Sequence, residues 1–179
     1  MQWTFRLATL ADIPALQQLI AASARGLNRQ DYSAAQIEAA LGTAWGVDSE
    51  LVRDGTYFVA QTGRDMVACG GWSRRKTLFG ADSRPGRESS LLDPAVDAAR
   101  IRAFFVHPDW ARRGIGRALL EHCENAARAH GFRSTQLMAT LTGVRLYREL
   151  GYVAEAQVDY PVPGGLAIEF VPMSKVLAG

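Results

Sequence analysis

The chain has 179 residues, 48% of them apolar, which is enough for one domain with a substantial core and too short for two ordinary ones. Its 20 lysines and arginines stand against 18 acidic residues, and a formal charge of +2 excludes a dedicated nucleic-acid surface or an acidic tail, so any basic patch has to be local. The two cysteines, Cys69 and Cys123, lack metal-ligand or disulfide spacing, no apolar run approaches the ~20 residues of a membrane span, and MQWTFRLATLADIP has no signal-peptide pattern, so the cytoplasm is the expected compartment.

Taken in chain order, WTFRLA at 3–8 alternates like a strand. Ile13, Leu16, Ile20, Ala24 and Leu27 then recur at helical spacing, with Thr9 as the candidate cap. A short helix is expected over SAAQIEAALG at 33–42, and GTYFVAQTGRDMVACGGWSRR reads as a hairpin about the turn TGRD. Residues 76–98 break all periodicity and read as a long surface loop, a length that is usually functional or disordered. ARIRAFFV at 99–106 is a strand ended by the turn HPDW, and from Arg113 onward Ile115, Leu119, Cys123, Ala126 and Ala127 mark one face of a helix that stops at His130 and Gly131. STQLMA at 134–139 reads as a strand and TGVRLYREL at 142–150 as a short helix. A strand from Gly151 to about Val158 and a last strand in GLAIEFVPMSKVL complete the expected order.

The informative stretch is HPDWARRGIGRALL, where Gly114 and Gly116 stand between a strand and a long helix among Arg112, Arg113 and Arg117. Glycines there let a ligand approach the backbone, and the amides at the helix start have no intrahelical partners, so the loop is an anion site suited to a phosphate or pyrophosphate. Hydrogen bonds to a charged acceptor contribute about 1.5–3 kcal/mol each and the helix dipole about 0.3–1, so the amides should dominate and the arginines assist. A P-loop would need Lys-Ser/Thr where Arg117-Ala118 stands, and a dinucleotide fingerprint would need a third glycine where Leu119 stands.

FFVHPDWARRGIGRALL resembles the coenzyme A-binding motif of the GNAT superfamily of N-acetyltransferases, and LYRELGY resembles its second motif, in the expected order and at the expected separation. The resemblance implies an α/β fold: a single GNAT-like domain over 1–179 with a mixed central sheet flanked by helices and strands splayed at the cofactor cleft. It implies acetyl-CoA as cofactor, with Phe104, Phe105 and Val106 alongside the pantetheine arm and the amides of Arg112, Arg113, Gly114, Ile115, Gly116 and Arg117 around the pyrophosphate. Ala111 and Thr140 depart from the residues that relatives often carry; Thr140 is kept as a cofactor-side position and no metal is implied. The implied acceptor is a small-molecule or peptide amine, with no nucleic acid or membrane as partner, and the family's habit of dimerising makes a homodimer an open expectation.

Acetyl transfer needs a neutral amine, an oxyanion donor and help for the departing thiolate. A lysine-like amine is neutral in about one molecule in 2,500 at pH 7, a deficit of roughly 4.6 kcal/mol. The strands IRAFFV and STQLMA hold no glutamate, so Glu50, Glu88, Asp93, Asp97 or a water all stay open as the base, as does a less basic substrate. Tyr147 matches the tyrosine by which the family protonates the departing sulfur, although a tyrosine with a buried ring and a wet hydroxyl would look the same alone. His107 reads as a turn residue, His122 and His130 as solvated helix positions, and Cys123 as core. The competing reading is a non-catalytic acyl-CoA sensor of the same fold.

Overall fold

The apolar periods place strands and helices so that each buries one face against a shared sheet, and the computed structural model, which describes residues 2–179, has them in the order β1 (Thr4–Leu7), α1 (Ile13–Leu27), α2 (Ala34–Ala40), α3 (Ser49–Arg53), β2 (Tyr57–Thr62), β3 (Asp65–Ser73), β4 (Ala99–Val106), α4 (Ile115–Ala129), β5 (Ser134–Thr140), α5 (Val144–Glu149), β6 (Val153–Ala154), β7 (Val158–Val162) and β8 (Leu166–Val176). The strands form one eight-stranded sheet in the order β1-β2-β3-β4-β5-β8-β6, with β7 also paired to β8. Among the strands of the described residues only β4 and β5 pair in parallel. No helix among the described residues is long and apolar enough to cross a membrane.

Helices cover both faces. The stripe Ile115, Leu119, Leu120, Cys123 and Ala127 of α4 packs with Trp72, Ile101, Leu137 and Met173. The stripe Leu16, Leu19 and Ile20 of α1 packs with Leu51 and Val52 of α3 against Tyr57 and Val59. Each such leucine or isoleucine, fully removed from water, contributes about 1.5–3 kcal/mol to folding. A third cluster joins α2 to the β7–β8 hairpin through Ile37, Ala40, Trp45, Ile168 and Phe170.

Two features of β4 create the cleft. Its parallel pairing to β5 consists of Ala99↔Thr135 and Arg100↔Gln136 alone, after which the strands part. On its other edge Cys69 faces Phe105 and Gly71 faces Arg102, so Ala103 and Phe104 both oppose Gly70 in a bulge. Ala103 takes φ 54°, and its carbonyl accepts a hydrogen bond from the Tyr57 hydroxyl at 2.9 Å. A Cβ on Gly70 would lie 2.7 Å from the Phe104 ring, so the glycine gives the bulged side chain its room.

The structure departs from the sequence reading in three places. Helix α3 lies where no element was expected, because a helix of this length carries too little periodicity to register. Helix α4 begins at Ile115 rather than Arg113, since Gly114 enters it at φ 85°. The strand expected from Gly151 to Val158 is two, β6 and β7, which take separate stretches of the same edge of β8; Pro161 is tolerated in β7 because that strand lies at the sheet margin. The 76–98 segment is a loop as expected, yet it is pinned: Thr77 N donates to Glu88 O at 2.9 Å, Leu92 N to Arg74 O at 2.7 Å, and Thr77, Ala81 and Leu92 are buried.

Candidate functional site

Where β4 and β5 part, they open a cleft of about 570 Å³. Its floor is the β4 edge from Ile101 to Val106, which has no strand partner on that side. One end is closed by the glycine loop. The first backbone bond there runs from Ala118 N to Gly114 O at 3.0 Å, leaving the amides of Ile115, Gly116 and Arg117 without intrahelical partners. Gly114 stands at φ 85° with open space where a Cβ would project, and Arg112 takes φ 60°. A Cβ on Gly116 would come 3.3 Å from Leu146 Cδ2 and 3.9 Å from Val106 Cγ2, so a branched side chain there would fill the space over the amides.

Phe104, Phe105, Val106, Arg112, Gly114 and Ile115 line this cleft, as do Gly116, Arg117, Thr140 and Tyr147. Arg113 does not: its guanidinium lies 4.8 Å over the ring of Trp110, a cation–π contact. Trp110 in turn belongs to the turn that α1 approaches so closely that a Cβ on Gly26 would stand 2.3 Å from Pro108 Cγ.

Tyr147 is half-buried on α5, edge-on to Tyr152 with ring centroids 5.7 Å apart. Burial raises its phenol above the usual tyrosine range, so it holds its proton at neutral pH. The preceding turn is built to seat it. Thr140 Oγ1 accepts from Gly143 N at 3.1 Å, and a Cβ on Gly143 would lie 3.1 Å from the Tyr147 ring. The Tyr32 hydroxyl donates to Glu169 O at 2.6 Å and accepts from Leu141 N at 2.9 Å, tying the segment after α1 to β8 and to the end of β5.

The far end is formed by Trp45, Phe79, Gly80, Arg102 and Phe170, of which none was singled out from the sequence. A charged residue within the buried run RIRAFFV and a tryptophan set among small residues in LGTAWGVD were the available signals. Arg102 is held by Asp48, and Arg87 from the long loop reaches Asp48 at 3.0 Å and Glu50 at 3.8 Å. Burial pushes Asp48 up against the pull of both arginines and pulls Arg102 down to about 10.

The open candidates for a base lie elsewhere. Glu88 is exposed, Asp97 accepts from Asp93 N at 2.8 Å and Asp93 from Ala95 N at 2.9 Å within one turn, and Glu50 belongs to the arginine cluster. None lines the cleft, and neither does His107, whose Nδ1 accepts from Asp109 N at 3.2 Å. His122 is exposed but edge-on to Phe58 at 4.5 Å, and His130 Nδ1 lies 2.8 Å from Ala126 O. Burial raises the Cys123 thiol in the core, which suits packing and not nucleophilic attack. Among the described residues the one carboxylate in the lining, Glu149, accepts from Arg145 Nε at 3.0 Å.

Comparison with known proteins agrees with this geometry. The fold is that of a GCN5-related N-acetyltransferase from Rhodopseudomonas palustris, at 22% identity and a TM-score of 0.74 over 99% of this chain and 97% of that one. It is also that of the PaiA N-acetyltransferase of Thermoplasma acidophilum in complex with coenzyme A, at 14% identity and 0.67 over 98% and 99%. Likewise yncA of Salmonella typhimurium, solved with its cofactor acetyl-CoA, aligns at 18% identity and 0.66 over 100% and 96%. At such identities the likeness carries the fold alone, and no curated protein matches the sequence. The family model for the acetyltransferase (GNAT) domain matches residues 53–154, more than half of the chain and the whole of the glycine loop and Tyr147 helix. The chain therefore belongs to the GNAT acetyltransferase family, whose cofactor is acetyl-CoA.

Proposed function

We propose that the protein is an acetyl-CoA-dependent N-acetyltransferase, moving an acetyl group from the sulfur of coenzyme A to the nitrogen of a small-molecule or peptide amine. The observation that carries this reading is the meeting in one cleft of the unpaired β4 edge, the open amides at the start of α4, and Tyr147. Backbone groups of Phe104, Phe105 and Val106 would hold the pantetheine arm, and the amides from Arg112 to Arg117 the pyrophosphate. The side chains of Arg112 and Arg117 add charge there, and Thr140 stands on the opposite bank with its hydroxyl accepting from the Gly143 amide. Bound acetyl-CoA supplies the activated acyl carbon; the chain supplies position and a proton.

Tyr147 is the proton donor to the departing sulfur. Its raised pKa keeps the phenol intact until charge develops, and a phenol of pKa about 10 or more cannot transfer its proton to a thiolate of pKa about 8.5 beforehand. With Glu149 engaged by Arg145, the amine's own proton is assigned to water in the open cleft. The loop segment at Leu78, Phe79 and Gly80 walls the acceptor end, which supports a role for 76–98 in acceptor choice.

The want of a second carboxylate in the lining favours one other reading, a sensor that binds acyl-CoA without turnover. Acetyl-CoA with a panel of amines, followed by release of free thiol, separates the two. Thiol release supports the enzyme. Thermal stabilisation by acetyl-CoA, worth about 2.7 kcal/mol at 100 times its Kd, without thiol release from any amine supports the sensor. Stabilisation by NAD and not by acetyl-CoA would sink both.

A further inference from the structure

Tyr147 sits on a helix with little of its own to hold it. α5 has six residues and none is fully buried, so neither length nor a core face fixes its place. The turn before it is tied by Thr140. Its end is held by the residue that closes LYRELGY: Tyr152 N donates to Tyr147 O at 3.0 Å, and the Tyr152 ring meets the Tyr147 ring edge-on at 5.7 Å.

Tyr152 is in turn fixed by its hydroxyl. The residue is 3% exposed, and the hydroxyl donates to Glu124 Oε1 at 2.9 Å. Thr135 Oγ1 lies 2.8 Å from the same phenol oxygen; a phenol has one hydrogen and the carboxylate holds it, so the threonine hydroxyl is the donor there. Burial raises the Tyr152 phenol above the usual tyrosine range, so the hydrogen is kept at neutral pH. Lys175 completes the cluster, donating to Glu124 Oε2 at 2.9 Å and Oε1 at 3.1 Å, with its ammonium 5.6 Å from the centroid of the Tyr152 ring.

The cluster is closed: none of its buried polar side-chain atoms lacks a partner, and none of its four residues lines the cleft. A phenylalanine at 152 would fill the same apolar space, so packing alone does not require the hydroxyl. What the hydroxyl adds is direction, because a fully satisfied buried network admits one arrangement of its members. The elements that supply the partners are informative. Glu124 belongs to α4, whose start carries the open amides, and Thr135 to β5, whose end carries Thr140. Tyr152 therefore references α5 to the same two elements that bound the cleft.

We propose that Tyr152 is a positioning residue for acetyl transfer: gripped at its hydroxyl by Glu124 and Thr135, it sets where the Tyr147 phenol meets the departing sulfur, without itself touching cofactor or acceptor. This rests on the N-acetyltransferase reading, with Tyr147 as proton donor, and deepens it.

The test is a double-mutant cycle read by steady-state thiol release, with acetyl-CoA and the best amine of the panel. Tyr152→Phe keeps the ring and the backbone bond to Tyr147 and removes only the hydroxyl. It should lower kcat about tenfold, since a small misplacement of a reacting group is costly, and leave KM for the amine and the Kd of coenzyme A within about twofold. In the Tyr147→Phe background the same substitution should change kcat by less than about twofold, because the group it positions is already gone; an independent effect would multiply instead. Glu124→Gln, which still offers the phenol an acceptor, should keep kcat within about threefold of wild type even where it lowers Tm, whereas Glu124→Ala should match Tyr152→Phe. If Tyr152→Phe does not fold, Thr135→Val, which removes one of the two bonds at the hydroxyl, takes its place in the cycle. Wild-type kcat in the single variant, or a loss that persists undiminished beside Tyr147→Phe, overturns the proposal and leaves the N-acetyltransferase reading standing. If no amine is acetylated, the enzyme reading falls, and NMR of isotope-labelled tyrosine rings, with Tyr147→Phe identifying the Tyr147 signal, decides the placement. A Tyr147 signal that shifts or broadens in Tyr152→Phe supports it, and an unchanged one overturns it.

Discussion

The two ends of the cleft are built from different materials. At the end proposed for the cofactor the groups on offer are backbone: amides at the start of α4, the unpaired edge of β4, and glycines that keep side chains out of the way. At the end proposed for the acceptor they come from side chains, Trp45, Phe79 and Arg102, each from a different part of the chain, with Arg102 held by an ion pair to buried Asp48. A backbone site tolerates almost any side chain but not a Cβ in the wrong place. A side-chain site is the reverse, and substitutions at the two ends should therefore fail in different ways.

The largest effect belongs to the backbone end. Gly116→Val places branched carbons where a Cβ alone already stands 3.3 Å from Leu146, closing the space over the amides. Loss of two charge-assisted hydrogen bonds is about 3–6 kcal/mol, so acetyl-CoA affinity should fall by roughly 10²–10⁴. Circular dichroism should show a folded protein, since Gly116 is in an ordinary helical conformation. Near-normal affinity would mean that side chains, and not amides, hold the pyrophosphate.

Tyr147→Phe ranks next and should separate chemistry from binding. A positioned acid contributes about 10²–10⁴ in rate, and burial has raised this phenol's pKa, making it a weaker acid, so the expected loss in kcat is about 10². Acetyl-CoA affinity should stay within about twofold, because the ring and its contact with Tyr152 remain. Wild-type turnover would make Tyr147 a packing residue.

These contrasts also explain what could be read from the sequence. The glycine loop proposed for the cofactor could be singled out because a backbone cradle needs contiguous residues: Gly114, Gly116 and the strand before them lie within one short stretch. The end proposed for the acceptor could not be, because Trp45, Phe79 and Arg102 are brought together by long-range links such as the pairing of Ala81 with Thr43 and the Asp48 ion pair, which no local period encodes. The same reasoning covers the elements. The amphipathic stripes of α1 and α4 were visible, whereas α3 is too short to show one, and the break between β6 and β7 depends on how both share β8. Arg113 illustrates the limit within the motif itself: its place in a row of arginines says nothing of the Trp110 ring on which it stacks.

That limit yields a smaller test. Arg117→Ala removes one charged side chain from the lining and leaves the amides intact, so acetyl-CoA affinity should fall about tenfold, the equivalent of about 1.4 kcal/mol. Arg113→Ala should change it by less than about twofold, since its guanidinium stacks on Trp110 and is not part of the lining. Equal losses in the two variants would show that the loop rearranges on binding to bring Arg113 round.

Thr140→Ala should have the smallest effect, and it tests the seam between the two kinds of site. Thr140 lies on the cleft bank, yet its hydroxyl oxygen accepts from the Gly143 amide and so caps the turn that seats Tyr147. Losing such a cap costs about 1 kcal/mol, which for a domain of this size lowers Tm by about 2–4 °C. If capping is the hydroxyl's work, Thr140→Ser should restore the melting temperature, and both variants should bind acetyl-CoA within about twofold of wild type. A large loss of affinity in Thr140→Ala, rescued by serine, with an unchanged Tm would instead place the hydroxyl on the cofactor. The backbone end would then depend on a side chain after all, and the division between the two ends of the cleft would have to be redrawn at β5.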